Sequence, residues 1–216
     1  MSVPATRSYS SPQREEQANA TRRRILAAAE QLFAKHGFAA VTMPRVAASA
    51  GVSLATVHLY FPRKAAIVGA LADALVAAPD LSVEQVERET DPIRQLQRGV
   101  GIIRRLNERG WLLADILRSA HGTDEHLTEV WALWQQRHAD ANRRAVEALA
   151  ARGGLRPGLA PDEAVDILYA LTGTDVYRAL VRERGWSPGR YQRWLFRLGC
   201  RELLGIAPDE PGSTTT

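Results

Sequence analysis

Cysteine occurs once in this 216-residue chain, as Cys200. A single thiol excludes an internal disulfide and any thiolate metal cluster, and the apolar helical neighbours of Cys200 fit a buried small side chain better than a reactive one. No apolar run approaches the roughly 18 residues that would argue for a membrane helix. The opening stretch MSVPATRSYSSPQREEQ lacks the apolar segment of a secretory signal, so a cytoplasmic location is expected. Period-two alternation is missing, and β-branched residues are sparse beside Ala, Leu, Arg and Glu, which predicts an all-α fold. There is no glycine-rich phosphate loop, no H-E-x-x-H pair and no plausible Cys–His arrangement. His36, His58, His121, His126 and His138 show no ligand spacing on one helix face, and Gly122 and Thr123 make His121 and His126 a loop pair. Neither an enzyme nor a bound metal or cofactor is expected.

What the chain does have is an uneven charge. The net charge is +4, but residues 1–64 hold nine Lys or Arg against three Asp or Glu, leaving 19 of the 28 basic residues and 21 of the 24 acidic ones for the rest. A basic first third suits a surface that meets phosphates, although solvated arginines would give the same count. Residues 1–14 are rich in Ser, Pro, Arg and Gln without periodicity and read as a flexible basic arm. Ile25, Leu26, Ala29, Leu32 and Phe33 then fall on one helical face that stops at Gly37. Residues 15–62 form a first domain, 63–206 a second, all-helical one, and 207–216 a disordered tail. Further helix starts are legible at Asp91-Pro92, Thr123-Asp124-Glu125, Pro161-Asp162-Glu163 and Ser187-Pro188, with stops at Gly110 or Gly122, Gly153-Gly154 and Gly185. Gly173, inside a helical run, marks a kink or a close helix approach.

The segment Thr42–Lys64, TMPRVAASAGVSLATVHLYFPRK, carries the sharpest information. Thr42 is an N-cap residue followed by a Pro in the first turn, and Val46 and Ala47 give a short helix its inner face. Gly51 can take the left-handed conformation that turns the chain, Val52 plugs the gap, and Ser53 caps the next helix, Leu54 to Tyr60. Val57 and Phe61 point inward at helical spacing. Leu54, Ala55, Thr56, His58, Leu59 and Tyr60 are left to face a partner, for which a DNA major groove is the leading candidate. Pro62 ends that helix and Lys64 opens the following one.

This segment resembles the DNA-binding region of TetR-family transcriptional regulators, through the A-x-x-x-G-V-S turn and the T-[VL]-x-x-x-F-x-x-K run. The resemblance extends back over TRRRILAAAEQLFAKHGF, Thr21 to Phe38, and forward to Leu155–Ile206, which is similar to the last two helices of many members. It implies a three-helix DNA-binding domain with a helix-turn-helix, followed by a helical bundle for dimerisation and ligand binding. Thr42 and Lys64, at helix starts, would grip phosphates; Thr56 and Tyr60 occupy positions where relatives hydrogen-bond phosphates, though ring packing would also account for Tyr60. Ser53, Leu54, Ala55, His58 and Leu59 complete the contact face. It holds no Arg, Asn or Gln for a bidentate base contact, departing from many relatives, so thymine methyls and His58 become the expected readout. Arg45 is the best remaining guanine reader or, equally, a phosphate clamp. Arg7, Arg14, Arg22, Arg23 and Arg24 could add minor-groove or phosphate contacts.

In the family the last two helices pair across a two-fold axis, which implies a homodimer on a near-palindromic operator. Val165, Leu168, Tyr177, Trp194 and Leu198 would line that interface while sharing the intramolecular core. The resemblance also implies a small-molecule effector. Trp111, Asp115, Trp131, Trp134, His138, Tyr169 and Thr172 are the pocket expected for a flat apolar one, with core packing an equal explanation for Trp131 and Trp134. A repressor is favoured over an activator, because a dimer on a promoter blocks polymerase with no further contact.

Overall fold

A computed structural model describes residues 12–122 and 124–207. Most of the expected arm, including Arg7, most of the expected tail, and Thr123 lie outside the described residues. All regular structure among those described is helical. Two compact units divide between Leu71 and Ala72, later than the boundary expected after residue 62 and inside a helix.

The first unit contains α1 (Pro12–His36), α2 (Met43–Ala50), α3 (Leu54–Tyr60) and most of α4 (Lys64–Val76). Helix α1 begins at Pro12, so the last residues assigned to the arm, Arg14 among them, are helical. Ile25, Leu26, Ala29 and Phe33 are buried as their spacing requires, while Leu32 is only half-buried. Gly37 stops the helix at φ 75°, its N–H donating to the Phe33 carbonyl at 2.9 Å. The buried inner faces of α2 and α3 are Val46, Ala47 and Ala50 on one and Val57 on the other, with Phe61 closing the far end.

The second unit continues with a 3-10 turn (Pro79–Leu81), α5 (Glu84–Glu87), α6 (Pro92–Ala120), α7 (Glu125–Ala150), α8 (Pro161–Thr172), α9 (Thr174–Tyr177) and α10 (Pro188–Gly199). The Asp91 side chain caps α6 by accepting from Arg94 N, Asp124 caps α7 through Leu127 N, and Ser187 caps α10 through Arg190 N. Helices α9 and α10 each run on into a π-helical stretch, Arg178–Glu183 and Cys200–Leu204. Gly173 separates α8 from α9 at φ −59°, ψ 146°, which breaks the helix as a kink.

Gly110 does not stop α6. It lies inside the helix, where an added Cβ would sit 2.6 Å from Leu75 Cδ2 and 3.4 Å from Trp134 Cη2. Glycine is there because two large side chains press on the backbone, a reason no local pattern reveals. Leu96 and Val100 of α6, Val146 and Leu149 of α7, Ala164 and Val165 of α8, and Tyr191 and Leu195 of α10 meet in one buried cluster. Tyr177 of α9 joins it, edge-on to Tyr191 with ring centroids 5.1 Å apart. Cys200 is buried in the same cluster, and burial pushes its thiol pKa up, which keeps it protonated and inert.

Candidate nucleic-acid interface and buried cavity

The turn between α2 and α3 is built from both sides. Gly51 takes φ 63°, ψ 41°, and the N–H of Val52 bonds back to the Ala47 carbonyl at 3.1 Å. A residue with a Cβ would be strained in that left-handed conformation. From across the unit the Arg24 guanidinium donates to the Ala50 carbonyl, at 2.8 Å from Nη2, and to that of Gly51, at 3.0 Å. It thereby satisfies carbonyls orphaned where α2 ends. Arg22 lies over the Phe61 ring at 5.5 Å. Two of the arginines expected to serve phosphates therefore brace the motif, Arg24 through its Nε and Nη2.

Ser53 caps α3, its Oγ accepting from Thr56 N at 3.0 Å and lying 2.8 Å from Thr56 Oγ1. The Ser53 and Thr56 hydroxyls thus face each other first. Thr42 holds the extended backbone of an N-cap, but its side chain makes no capping bond, leaving the hydroxyl beside the first turn of α2. Arg45 is exposed and donates to the Ala40 carbonyl at 3.2 Å. Leu54, Ala55, His58 and Leu59 are exposed, and Leu59, 81% exposed, stands furthest into solvent. Tyr60 is half-buried.

Lys64 departs from expectation. Its ammonium donates to the carbonyls of Phe38 at 2.6 Å and Val41 at 2.9 Å, reaches that of Ala39 at 3.4 Å, and sits 4.1 Å from the Phe38 ring centroid. Partial desolvation lowers its pKa. The side chain ties the loop before α2 to the start of α4, so its charge serves as a clamp inside the unit. The spacing that places Lys64 at a helix start says nothing about which carbonyls come within its reach.

In the second unit, side chains of α6, α7, α8 and the segment after α4 enclose a cavity of about 170 Å³. Val76, Val86, Val100, Ile103, Leu106 and Val146 give it largely apolar walls. Three of the seven expected pocket residues, Trp134, His138 and Thr172, line it. Tyr169 supports it from behind: its ring lies 4.7 Å from that of His138, and its hydroxyl accepts from Gln135 at 3.1 Å. The Thr172 hydroxyl shares its proton between the Leu168 carbonyl at 2.7 Å and Asn142 Oδ1 at 3.3 Å, so His138 Nε2, 2.8 Å from the same oxygen, is the donor to it. Burial lowers the His138 pKa to about 4, and the imidazole is neutral at pH 7.

The other expected members lie elsewhere. Trp111 and Asp115 line a separate recess with Arg178 and Arg182, where the Arg182 guanidinium covers the Trp111 ring at 4.1 Å. Trp131 stacks on His121 at 5.6 Å. Trp111 stands on α6 and Trp131 and Trp134 on α7, and each ring takes a different neighbour, so the three tryptophans do not line one pocket. Besides His138 and Thr172, three polar residues that were not anticipated face the cavity: Gln95, Asn107 and Asn142, each at most 4% exposed. Their signal was available, because Asn142 stands four and seven residues before Val146 and Leu149 on one apolar stripe of α7.

Of the five expected interface residues, Val165 and Tyr177 are buried within one chain, 7% and 4% exposed, and have almost no surface to offer a second. Leu168 turns to the cavity. Trp194 and Leu198 are half-buried on α10 and keep an outer surface.

A basic helix-turn-helix unit joined to an all-α unit with an apolar cavity defines a DNA-binding transcriptional regulator. Residues 25–71 match the model of the bacterial regulatory proteins of the tetR family. The chain is 31% identical over 199 residues to the transcriptional regulator TtgR of Pseudomonas putida, spanning 88% of each. This chain belongs to the TetR family of transcriptional regulators. Its fold is similar to that of SmeT, solved as a triclosan complex, with a TM-score of 0.69 at 22% identity, covering 90% of this chain and 100% of that one. SmeT is described as the repressor of the Stenotrophomonas maltophilia multidrug efflux pump SmeDEF. NalD of Pseudomonas aeruginosa, described as the secondary repressor of the MexAB-OprM multidrug efflux pump, gives a TM-score of 0.68 at 25% identity over 88% of this chain and 98% of that one.

Proposed function

We propose that this protein is a cytoplasmic homodimeric repressor that binds a near-palindromic operator and is released by a small apolar or aromatic effector. The observation that carries the reading is the outer face of α3. Leu59 is 81% and Leu54 40% exposed on a helix whose inner residue Val57 is fully buried and whose start is capped. Apolar side chains held rigidly in water mark a contact surface, and thymine methyls in a major groove match their chemistry. Thr42, Arg45 and the first-turn N–H groups of α2 would position the duplex by its phosphates, with His58 and Tyr60 at the rim of the contact. Among the described residues no helix is long and apolar enough to cross a membrane.

One motif makes too few contacts to select a site, so two copies are required. Trp194 and Leu198 of α10, with the outer face of α8, supply the pairing surface, and a two-fold axis presents two α3 helices to one face of DNA. The cavity is the effector site. A ligand that fits only the head spacing unable to span the operator shifts the population away from DNA. The descriptions of SmeT and NalD as repressors of multidrug efflux pumps support both the repressor assignment and an effector of the apolar kind. Sequences selected from random DNA by the purified protein should show two inverted half-sites. Equal retention of random and selected duplexes at physiological salt would refute the proposal.

A further inference from the structure

Two buried amides face the cavity with half of their hydrogen-bonding capacity unused. Gln95 is 2% exposed; its Nε2 donates to the Ala145 carbonyl at 2.8 Å, and its Oε1 has no partner. Asn142 is 4% exposed; its Oδ1 lies 3.3 Å from the Thr172 hydroxyl, and its Nδ2 has no partner. Asn142 and Ala145 are three residues apart on α7, which puts them on neighbouring turns of one face. Through Ala145 the Gln95 amide is tied to the helix that carries Asn142, so one unpaired acceptor and one unpaired donor line the same largely apolar cavity.

Buried polar atoms without a partner are costly and rare in native proteins, and two of them lining one cavity point to a ligand that pairs with them. The cavity also has little charge of its own. Arg137 at its edge is paired with Asp73 at 2.7 Å and keeps its side chain 38% exposed, and His138 is neutral. A cationic ligand would be buried without a counter-charge, and an anionic one would have to draw Arg137 away from Asp73, both of which are disfavoured. As for size, a cavity of roughly 150 Å³ accepts a benzene ring. At about 170 Å³ this one holds a single ring with a short substituent.

We propose that the effector is a neutral, one-ring molecule bearing a hydroxyl, which donates to Gln95 Oε1 and accepts from Asn142 Nδ2 while its apolar body fills the cavity. This rests on the effector reading above and specifies its chemistry. A ligand hydroxyl is both donor and acceptor, so one group completes both amides, whereas a hydrocarbon of the same shape leaves both unpaired.

The test uses the full-length protein and four probes of one skeleton: 4-ethylphenol, ethylbenzene, 4-ethylbenzoate and 4-ethylbenzylamine. Binding is read by calorimetry, and the DNA complex is monitored in parallel by fluorescence anisotropy. The phenol should bind at least tenfold more tightly than ethylbenzene, with the two ions weaker still. Gln95→Met, which keeps the side-chain length, should collapse the phenol-to-hydrocarbon ratio towards one, and so should Asn142→Leu. The ratio in the unaltered protein tests the proposal even if a variant fails to fold. Equal binding of phenol and hydrocarbon would overturn the proposal, because the amides would then be satisfied by retained water, yet leave the effector reading standing. Tighter binding of either ion would overturn it as well. If no probe binds or loosens the DNA complex, this proposal falls, and the effector reading survives only if a larger apolar compound releases the DNA.

Discussion

Replacing Lys64 by Met removes the ammonium while keeping the apolar stem, and it separates two roles that a basic residue at a helix start can play. The clamp consists of two short charge-assisted bonds, to Phe38 and Val41, one long one to Ala39, and a ring contact. Bonds to a charged group are worth about 1.5–3 kcal/mol, and a cation over a ring about 0.5–1 kcal/mol when exposed. Water can reach Ala39 and part of Phe38 once the ammonium is gone, recovering much of that, so about 2 kcal/mol is the expected net loss. For a cooperative unit of this size such a loss lowers Tm by roughly 10 °C, readable by circular dichroism. Operator binding should weaken by a similar factor at every salt concentration, because the loop before α2 loses its tether. The slope of log affinity against log salt should not change. A phosphate contact would behave in the opposite way, lowering the slope by about 0.9 per subunit and leaving Tm alone. That second pattern would refute the clamp.

Three further outcomes are expected. The His138 pKa is about 4 in the folded chain against the usual 6.5, so the folded state binds fewer protons between those values; the stability from the neutral buried ring is complete above pH 6.5 and lost as pH falls towards 4, on the order of 3 kcal/mol in all. Urea unfolding from pH 7.5 to 4.5 should show this, and His138→Gln should flatten the profile, whereas parallel profiles would contradict it. Leu59→Ala should leave stability within about 0.5 kcal/mol, since the side chain is in water, but broaden the sequences recovered by selection at one position of each half-site; unchanged selectivity would remove Leu59 from the base-reading face. Tyr191 is fully buried with its hydroxyl unpaired, so Tyr191→Phe should be neutral or stabilise by up to about 1 kcal/mol, while Tyr191→Ala should cost about 3–5 kcal/mol. Strong destabilisation by the Phe variant would show that the hydroxyl has a partner after all.

What could be read from the sequence was whatever a few consecutive residues decide. The caps at Ser53, Asp91, Asp124 and Ser187, the left-handed Gly51 and the inward Val57 and Phe61 each depend on neighbours within one turn, and each is where the spacing placed it. The exposed outer face of α3 followed by subtraction. Errors began where distant segments meet. Gly110 looked like a stop because the pressure on it from Trp134 and Leu75 is tertiary. Lys64 and Arg24 were expected at phosphates because their charge was visible; the carbonyls they hold, about 26 positions away, were not legible. The expected pocket set included Trp134, His138 and Thr172, which do line the cavity, but missed the buried amides on two helices that only packing brings together. A polar residue recurring on an apolar stripe would have been the better guide.

The account depends most directly on α3 lying in a groove of duplex DNA, presented twice by a symmetric pair of chains. Hydroxyl-radical footprinting on a selected operator, with the mass of the complex measured by light scattering, tests both parts at once. Two subunits per duplex, with protected half-sites centred about 10 base pairs or a multiple of that apart, are the expected result. A single subunit per duplex, or protection with no fixed register, would contradict it.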